Sequence, residues 1–221
     1  WGMADWHYGY GLPIGGVVAT DVNHGEQGGS ISPGAVGFDI NCGVRAVALN
    51  LTVDEIPNLT KLASRLNGRI PAGGSGKGGI NINAQQLESV LRGGLSELET
   101  IDVSSYHAKG SVESDGSFEI DEVSISERAK NRGLRALGTL GSGNHFLELQ
   151  RVSEIADEET SKSWGVESDQ VIAMIHSGSR GLGHQVCSDH IHELEMRLKQ
   201  RNGAWVDEEW GYELPDRQLA A

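Results

Sequence analysis

Glycine is the residue that most limits how this chain can fold. The 221 residues include 31 glycines, about twice the average usage. They cluster at positions 25–43, 73–79, 138–143 and 178–183. Because glycine has no Cβ, it allows tight turns and close backbone approaches, but it weakens helix interiors. The pattern therefore predicts short elements joined by many tight turns, and it disfavours a helical bundle.

The cysteines and the charge limit the environment and the partners of the chain. Cys42 and Cys187 form neither a Cys-x-x-Cys pair nor a disulfide framework, which predicts a reducing, cytoplasmic location. No apolar run reaches the roughly 18 residues of a membrane helix, so no membrane association is expected. The formal net charge of -13 disfavours general attraction to nucleic acid. Any contact with RNA is therefore expected to be local or metal-assisted.

Hydrophobic periodicity predicts both strands and helices along the chain. A length of 221 residues is enough to bury a core, and we expect one domain over 1–221 that is truncated at both ends. The segment 104–121 is rich in Ser, Gly and acidic residues and is predicted to be a mobile surface loop. The predicted strands cover 14–19, 44–51, 146–150 and 171–175, and the predicted helices cover 58–67, 83–98, 124–132 and 184–200.

Residues 37–45 place a carboxylate and a thiol three positions apart, between glycines and before a predicted strand. Asp39 and Cys42 are therefore candidate metal ligands, because a thiolate binds metal strongly and a carboxylate supplies a hard oxygen. The alternative is a purely structural turn, in which Asp39 caps the backbone and Cys42 is a small buried residue. The spacing alone does not decide between these interpretations.

Two histidines lie where glycine turns meet strands. His145 precedes a strand in which Asn144, Phe146 and Glu148 are predicted to share one face, opposite His145 and Leu147. His176 ends the next predicted strand. Imidazole is the commonest metal ligand, although each histidine alone is equally consistent with a structural role. The turn that follows His176 is suited to a phosphate, and its candidate contacts are Ser177, Ser179 and Arg180.

Other polar motifs carry less information. His184, His190 and His192 are interpreted as surface residues of the last helix. Asp5 and His7 near the start of the chain are candidates for hydrogen-bonded support of a metal site. The glycine-rich stretches lack the spacing of a P-loop or a dinucleotide fingerprint.

Five stretches together resemble the RtcB family of RNA-splicing ligases and occur in the family's order: 5–7, 9–16, 31–45, 138–150 and 176–185. The resemblance implies the RtcB-like α+β fold, with mixed sheets and flanking helices, here incomplete. It also implies a site for two manganese ions. By this resemblance Cys42 bridges both ions, Asp39 and His145 complete one of them, and His176 helps to hold the other. Zinc remains an alternative, because thiolate and imidazole accept it readily.

The resemblance also implies a reaction. Members of this family use GTP to guanylylate a histidine, and they join an RNA 3'-phosphate or 2',3'-cyclic phosphate to a 5'-hydroxyl. The implied GTP contacts are Asn144 at the phosphate, Glu148 at the guanine edge, and His145 and Phe146 beside them. The guanylylated histidine is expected downstream of the matching stretches, so we expect no catalytic histidine within this chain and no ligation by it alone.

The implied partners are RNA, as tRNA halves or broken strands, and GTP, with an activating protein as a further candidate. A monomer is expected. Two alternatives remain open at this level: a metal-dependent phosphohydrolase that uses the same four ligands, and a non-catalytic module of the family.

Overall fold

A central sheet of three antiparallel strands organises the part of the chain that the structure describes. The structure is a computed structural model, and it describes residues 1–9, 12–21, 23, 36–72, 79–101, 110, 112–120 and 125–200. The strands are β3 (Gly43–Thr52), β4 (Phe146–Arg151) and β5 (Gln170–Ser177), in the order β3-β5-β4. The fold class is α+β, as predicted.

The register of this sheet brings distant segments of the chain to one edge. His176 near the end of β5 pairs with Val44 near the start of β3 and with Phe146 at the start of β4. Because β5 is antiparallel to both neighbours, its C-terminal end lies beside their N-terminal ends. The turns that precede β3 and β4 therefore meet the turn that follows β5.

A smaller sheet lies near the start of the chain. Strand β1 (Gly2–His7) pairs antiparallel with β2 (Ile14–Gly16), and His7 is the partner of Ile14. The strand predicted at 14–19 is therefore confirmed only over its first three residues. Strand β1 was not predicted, although Asp5, Trp6 and His7 alternate between polar and apolar as in a half-buried strand.

The helices before residue 101 begin at the predicted asparagine caps. Helix α1 (Leu59–Arg69) is capped by Asn58, and α2 (Ala84–Gly93) is capped by Asn83. The prediction of a single helix over 83–98 is wrong, because α2 ends at Gly94, which has φ 69° and ψ -143°. A separate helix α3 (Leu95–Thr100) follows. Glycine adopts this positive φ without the steric cost that other residues incur.

Helices α4 (Glu127–Ala136) and α6 (Arg180–Gln200) pack against each other. Two glycines allow the close approach. A Cβ at Gly133 would lie 3.2 Å from Leu182, and one at Gly181 would lie 3.3 Å from Arg132. The buried core includes Ala129 on α4 and Cys187 on α6, so this helix pair is part of the hydrophobic interior.

Several predicted boundaries differ from the structure. Helix α4 begins at Glu127 after the cap Ser126, whereas the predicted cap Ser124 lies outside the described residues. Helix α6 begins four residues before the predicted position 184, because Gly181 and Gly183 lie inside the helix rather than in a turn.

Two further elements were missed or only partly anticipated. Helix α5 (Glu158–Trp164) was not predicted, because it has no apolar periodicity, although its cap Asp157 and its terminal Gly165 are standard signals. Within the predicted loop 104–121, the described residues include a short 3-10 helix at Glu113–Gly116; residues 104–109, 111 and 121 lie outside the description. No helix in the described ranges is long and apolar enough to span a bilayer.

Candidate metal centre

The sheet edge brings together three of the four predicted metal ligands. The Sγ of Cys42 lies 3.3 Å from Nε2 of His145 and 3.1 Å from Nε2 of His176. All three ligand atoms lie within 4.8 Å of one another. Cys42 ends the turn before β3, His145 immediately precedes β4, and His176 is the penultimate residue of β5. A thiol and two imidazoles at this spacing form a group that could hold a metal ion.

The predicted fourth ligand, Asp39, lies beside this cluster. Its Oδ2 is 2.9 Å from Nε2 of His145, while its Oδ1 accepts hydrogen bonds from the backbone N–H of Arg180 at 2.6 Å and from the hydroxyl of Ser179 at 3.2 Å. A Cβ at Gly178 would lie 2.8 Å from the carboxyl carbon of Asp39, so glycine is needed there. Asp39 therefore binds the start of α6 with one oxygen and faces the cluster with the other.

The protonation of His145 suits a ligand. Burial lowers the pKa of His145, because charging an imidazole away from water is unfavourable; nearby Asp39 acts in the opposite direction. The contact between His145 and Asp39 would be a true ion pair only if the imidazole were protonated. We expect a neutral imidazole at pH 7, with a lone pair available to a cation.

The donor set fits a divalent ion. Nε2 of His145 faces both the Asp39 carboxylate and the Cys42 sulfur, although one nitrogen of a neutral imidazole cannot donate to both in full. The buried Oδ2 of Asp39 has no hydrogen-bond partner among the described residues. A cation among these atoms would satisfy the oxygen, the sulfur and the nitrogen together. Thiolate, imidazole and carboxylate are ligands for transition metals such as Zn²⁺ and Mn²⁺.

A cavity of about 540 Å³ opens onto the cluster, and its lining includes Asp39, Cys42 and His145. Helices α4 and α6 contribute three arginines to the same lining: Arg132, Arg135 and Arg180. These arginines supply positive charge to a chain whose net charge is -13. An anionic ligand in the cavity would therefore meet guanidinium groups as well as the candidate metal ligands.

Sequence reasoning missed Arg132 and Arg135. The predicted helix ended at Arg132, whereas α4 continues to Ala136. A helix continued through Arg135 would have placed both arginines on one face, because i and i+3 positions share a face. His184 is exposed, as predicted, yet it also lines the cavity, with its ring centroid 5.0 Å from that of Phe38. Burial lowers the pKa of His184, and the adjacent Arg132 guanidinium adds to that effect.

The residues predicted to contact GTP do not all line the main cavity. Asn144 lines the cavity, with its Nδ2 3.1 Å from Nε2 of His7 and 3.9 Å from the Cys42 sulfur. Phe146 lies behind the cluster, with its ring centroid 5.4 Å from that of His176. Glu148 is exposed on β4 and accepts a hydrogen bond from Gln150.

The predicted alternation of side chains is wrong at His145. The rings of His145 and Phe146 both approach His176, whereas Leu147 lines a separate apolar cavity against α1. The reason is that His145 belongs to the turn before β4, where Gly143 has φ 74°, so the two-residue period of the strand does not yet apply.

The remaining predicted residues have structural partners. The Ser177 hydroxyl donates to the Leu140 carbonyl at 2.7 Å, and the Ser179 hydroxyl donates to Asp39. Of the three predicted phosphate contacts, Arg180 alone lines the main cavity. His7 contacts the site through Asn144, and its ring centroid lies 5.9 Å from that of His176. The side chain of Asp5 lies outside the description.

Comparison with known proteins gives one consistent family. The family model described as tRNA-splicing ligase RtcB matches residues 1–221. The chain is 48% identical over 220 residues to the tRNA-splicing ligase RtcB of Methanococcus maripaludis, covering 99% of this chain and 43% of that protein. It is 43% identical over 221 residues to the protein of the same name from Aeropyrum pernix, covering 99% of this chain and 44% of that protein.

A bacterial relative shows the same similarity. The RNA-splicing ligase RtcB of Mycobacterium tuberculosis is 40% identical over 227 residues, covering 99% of this chain and 49% of that protein. The chain thus spans less than half the length of the curated relatives described here. The family match nevertheless includes every stretch that forms the metal cluster and the cavity. On this similarity over its whole length, the chain belongs to the RtcB family of tRNA-splicing ligases.

Proposed function

We propose that this chain is the metal-holding part of a GTP- and Mn²⁺-dependent RNA ligase. The enzyme would join RNA 3'-phosphate or 2',3'-cyclic phosphate ends to 5'-hydroxyl ends, in tRNA splicing or RNA repair. The observation that carries the proposal is the convergence of Cys42, His145 and His176 beside Asp39, at a cavity that is also lined by arginines.

The residues of the site have separate proposed roles. Cys42, His145, His176 and Asp39 would hold two Mn²⁺ ions, which when bound supply charge neutralisation at phosphates and activation of an attacking oxygen. Arg180 would bind an RNA phosphate, because guanidinium is always charged and forms paired hydrogen bonds to phosphate oxygens. Ser177 and Ser179 would act indirectly, by holding the Leu140 carbonyl and Asp39.

The nucleotide would lie near the start of β4. Asn144 lines the cavity and carries an amide group suited to the phosphate of GTP. His145, besides holding a metal ion, would contact the same phosphate. Phe146 and Glu148 belong to one face of β4, because alternate strand residues point to the same side; Glu148 supplies a carboxylate for the guanine edge. His7 would orient Asn144 through their 3.1 Å contact, and Asp5 would support the site nearby.

We further propose that residues 1–221 are one part of a single catalytic domain, and that the guanylylated histidine belongs to family sequence this chain does not span. The chain alone would then bind metal and RNA without ligating them. We expect a cytoplasmic monomer, with tRNA halves or broken RNA, GTP and an activating protein as partners.

Metal titration tests the core of this proposal. Purified chain, freed of metal with a chelator, should take up Mn²⁺ in calorimetric titration, and the Cys42→Ser variant should not. Incubation with radiolabelled GTP and Mn²⁺ should leave the chain unlabelled. Covalent attachment of GMP would contradict the absence of a nucleophilic histidine, and release of phosphate from cyclic-phosphate RNA without GTP would favour a phosphohydrolase.

A further inference from the structure

A chain of polar side chains crosses the interface between α4 and α6 and ends at the cavity. The Ser126 hydroxyl donates to Oδ2 of Asp189 at 2.5 Å. Nε2 of Gln185 donates to Oδ1 of Asp189 at 2.7 Å. Arg132 Nη1 donates to Oε1 of Gln185 at 2.9 Å. The relay thus runs from the cap of α4, through α6, to the guanidinium of Arg132 that lines the cavity.

Gln185 is the central member of this relay, and its burial makes its orientation consequential. Only 4% of its surface is exposed, so a misplaced amide would leave a buried polar group without a partner. Gln185 and Asp189 are separated by four residues and therefore share one face of α6. The glycines Gly133 and Gly181 allow α6 to pack close to α4.

The charge of Asp189 sets the direction of the relay. Hydrogen bonds from Ser126 and Gln185 hold the pKa of Asp189 below its usual value. An ionised carboxylate only accepts hydrogen bonds, so Gln185 must present its NH₂ group to Asp189. Its carbonyl oxygen is then left to face Arg132, which only donates. Each group in the relay has one favourable orientation.

We propose that Gln185, with Asp189 and Ser126 behind it, positions the Arg132 guanidinium in the cavity wall for contact with an RNA phosphate. Gln185 acts through Arg132 and does not itself touch the RNA. The inference rests on the proposed function for its ligand, and on the hydrogen bonds above for its geometry.

Binding of a short single-stranded RNA with a 3'-phosphate, followed by fluorescence anisotropy with Mn²⁺ present, tests the relay. Gln185→Met keeps the length of the side chain and removes both hydrogen bonds. It should weaken binding on the order of 10-fold, the scale of one hydrogen bond to a charged group. In an Arg132→Met background, the same change should have no further effect, because the group through which it acts is gone.

Exchanging the charged and the neutral side chain between positions 185 and 189 tests the positioning role most directly. In the double variant Gln185→Glu with Asp189→Asn, the new carboxylate accepts from Arg132 and the new amide donates to it, so the relay is rebuilt with the same net charge. Each single change should weaken RNA binding, and the double variant should restore it. Weak binding by the double variant that matches the singles would overturn the proposal.

A matched control separates positioning from stability. Gln170 is half-buried and, like Gln185, its amide makes two hydrogen bonds: it accepts from the Glu167 N–H and donates to the Leu49 carbonyl. Gln170→Met should lower the thermal midpoint and leave RNA affinity unchanged. If Gln185→Met behaves in the same way as this control, its role is structural and the inference is wrong.

A measurement without RNA keeps the inference independent of the proposed function. If the wild-type chain binds no RNA, the proposed function fails in this chain, yet the relay still predicts a restrained guanidinium. Nitrogen-15 spectra of the arginine side chains should show hindered rotation for Arg132 in the wild type and free rotation in Gln185→Met. Identical spectra would overturn the positioning role whatever the RNA result.

Discussion

The sheet edge and the α4–α6 helix pair both line one cavity, and they are built by different means. At the sheet edge, antiparallel register brings Cys42, His145 and His176 together from three segments that are distant in sequence. In the helix pair, two glycines allow close packing, and a hydrogen-bond relay then orients the Arg132 side chain. The sheet edge carries the candidate metal ligands, and the helix pair carries positively charged arginines.

Under the proposed function, an acidic chain binds a polyanionic substrate. The net charge of -13 makes the surface as a whole unattractive to RNA. The arginines of two helices and the candidate metal ligands line the same cavity, so attraction for a phosphate would be concentrated there. Perturbing the sheet edge should therefore affect metal affinity, whereas perturbing the helix pair should affect phosphate affinity.

The largest expected effect is at Cys42, the residue shared by both histidine contacts. Cys42→Ser should lower Mn²⁺ affinity by more than about 100-fold, beyond the 10- to 100-fold loss typical of outer hydrogen-bond partners. Calorimetric titration measures it. The control is Cys187→Ala, since Cys187 is buried on α6 outside the cluster; equal losses in both variants would contradict a specific site at the sheet edge.

A pair of glycine variants tests whether the turn before β4 places His145. Gly141 has φ 119°, and a Cβ there would lie 1.9 Å from Nδ1 of His145, whereas Gly143 has φ 74° and open space around it. Gly141→Ala should weaken metal binding about 10-fold or more, as loss of ligand support does.

Gly143→Ala serves as the control in the same titration. It adds the strain of a positive φ without displacing the ring, so it should mainly lower the thermal midpoint. Unchanged metal affinity in Gly141→Ala would show that His145 is not a ligand, or that the turn adjusts around the added methyl group.

Arg180 gives the complementary test on the helix side. Arg180→Met should reduce affinity for 3'-phosphate RNA about 10-fold, the scale of a charged hydrogen bond, and should leave Mn²⁺ affinity within about 2-fold, because the Arg180 backbone N–H that binds Asp39 remains. Anisotropy and calorimetry on the same preparations measure both. Arg151→Met removes an exposed arginine on β4 paired with Asp169, and it should change neither affinity.

The smallest expected effect is the pH dependence that His184 adds to stability. Because its folded pKa is lowered from 6.5, the unfolded state takes up a proton first as the pH falls. The stabilisation is fully present above about pH 6.5 and is lost as the pH falls toward the lower folded pKa. In urea unfolding with a chelator present, His184→Gln should show a smaller loss between pH 7.5 and 5.5 than the wild type.

The sequence predicted the ligand cluster better than it predicted the cavity. Cys42, His145 and His176 sit at junctions of glycine turns and strands, and such junctions carry a signal in composition and periodicity. Asp39 was singled out for the same reason. In the structure one of its oxygens accepts from a backbone N–H, as the capping interpretation expects, and the other lies beside His145, while its role as a metal ligand stays a prediction. The α+β class was predicted from the family resemblance.

The presence of Arg132 and Arg135 in the cavity lining could not be predicted in the same way. Arg132 and Gln185 are 53 residues apart, and they meet only because α4 and α6 pack closely. Glycines in 178–183 were interpreted as a turn, whereas Gly181 and Gly183 lie inside α6. Their packing role depends on tertiary contacts, which local periodicity does not contain.

The division of Asp39 between two partners has a thermodynamic consequence. One oxygen accepts from the Arg180 N–H at the start of α6, while the other faces His145, so an ion at the cluster and the first turn of α6 share one carboxylate. Any ligand that binds only the folded state adds RT ln(1 + [L]/Kd) to its stability. Metal binding would therefore also stabilise the start of α6. An ion at the sheet edge and the charge of Arg180 on the helix would then be energetically coupled through Asp39.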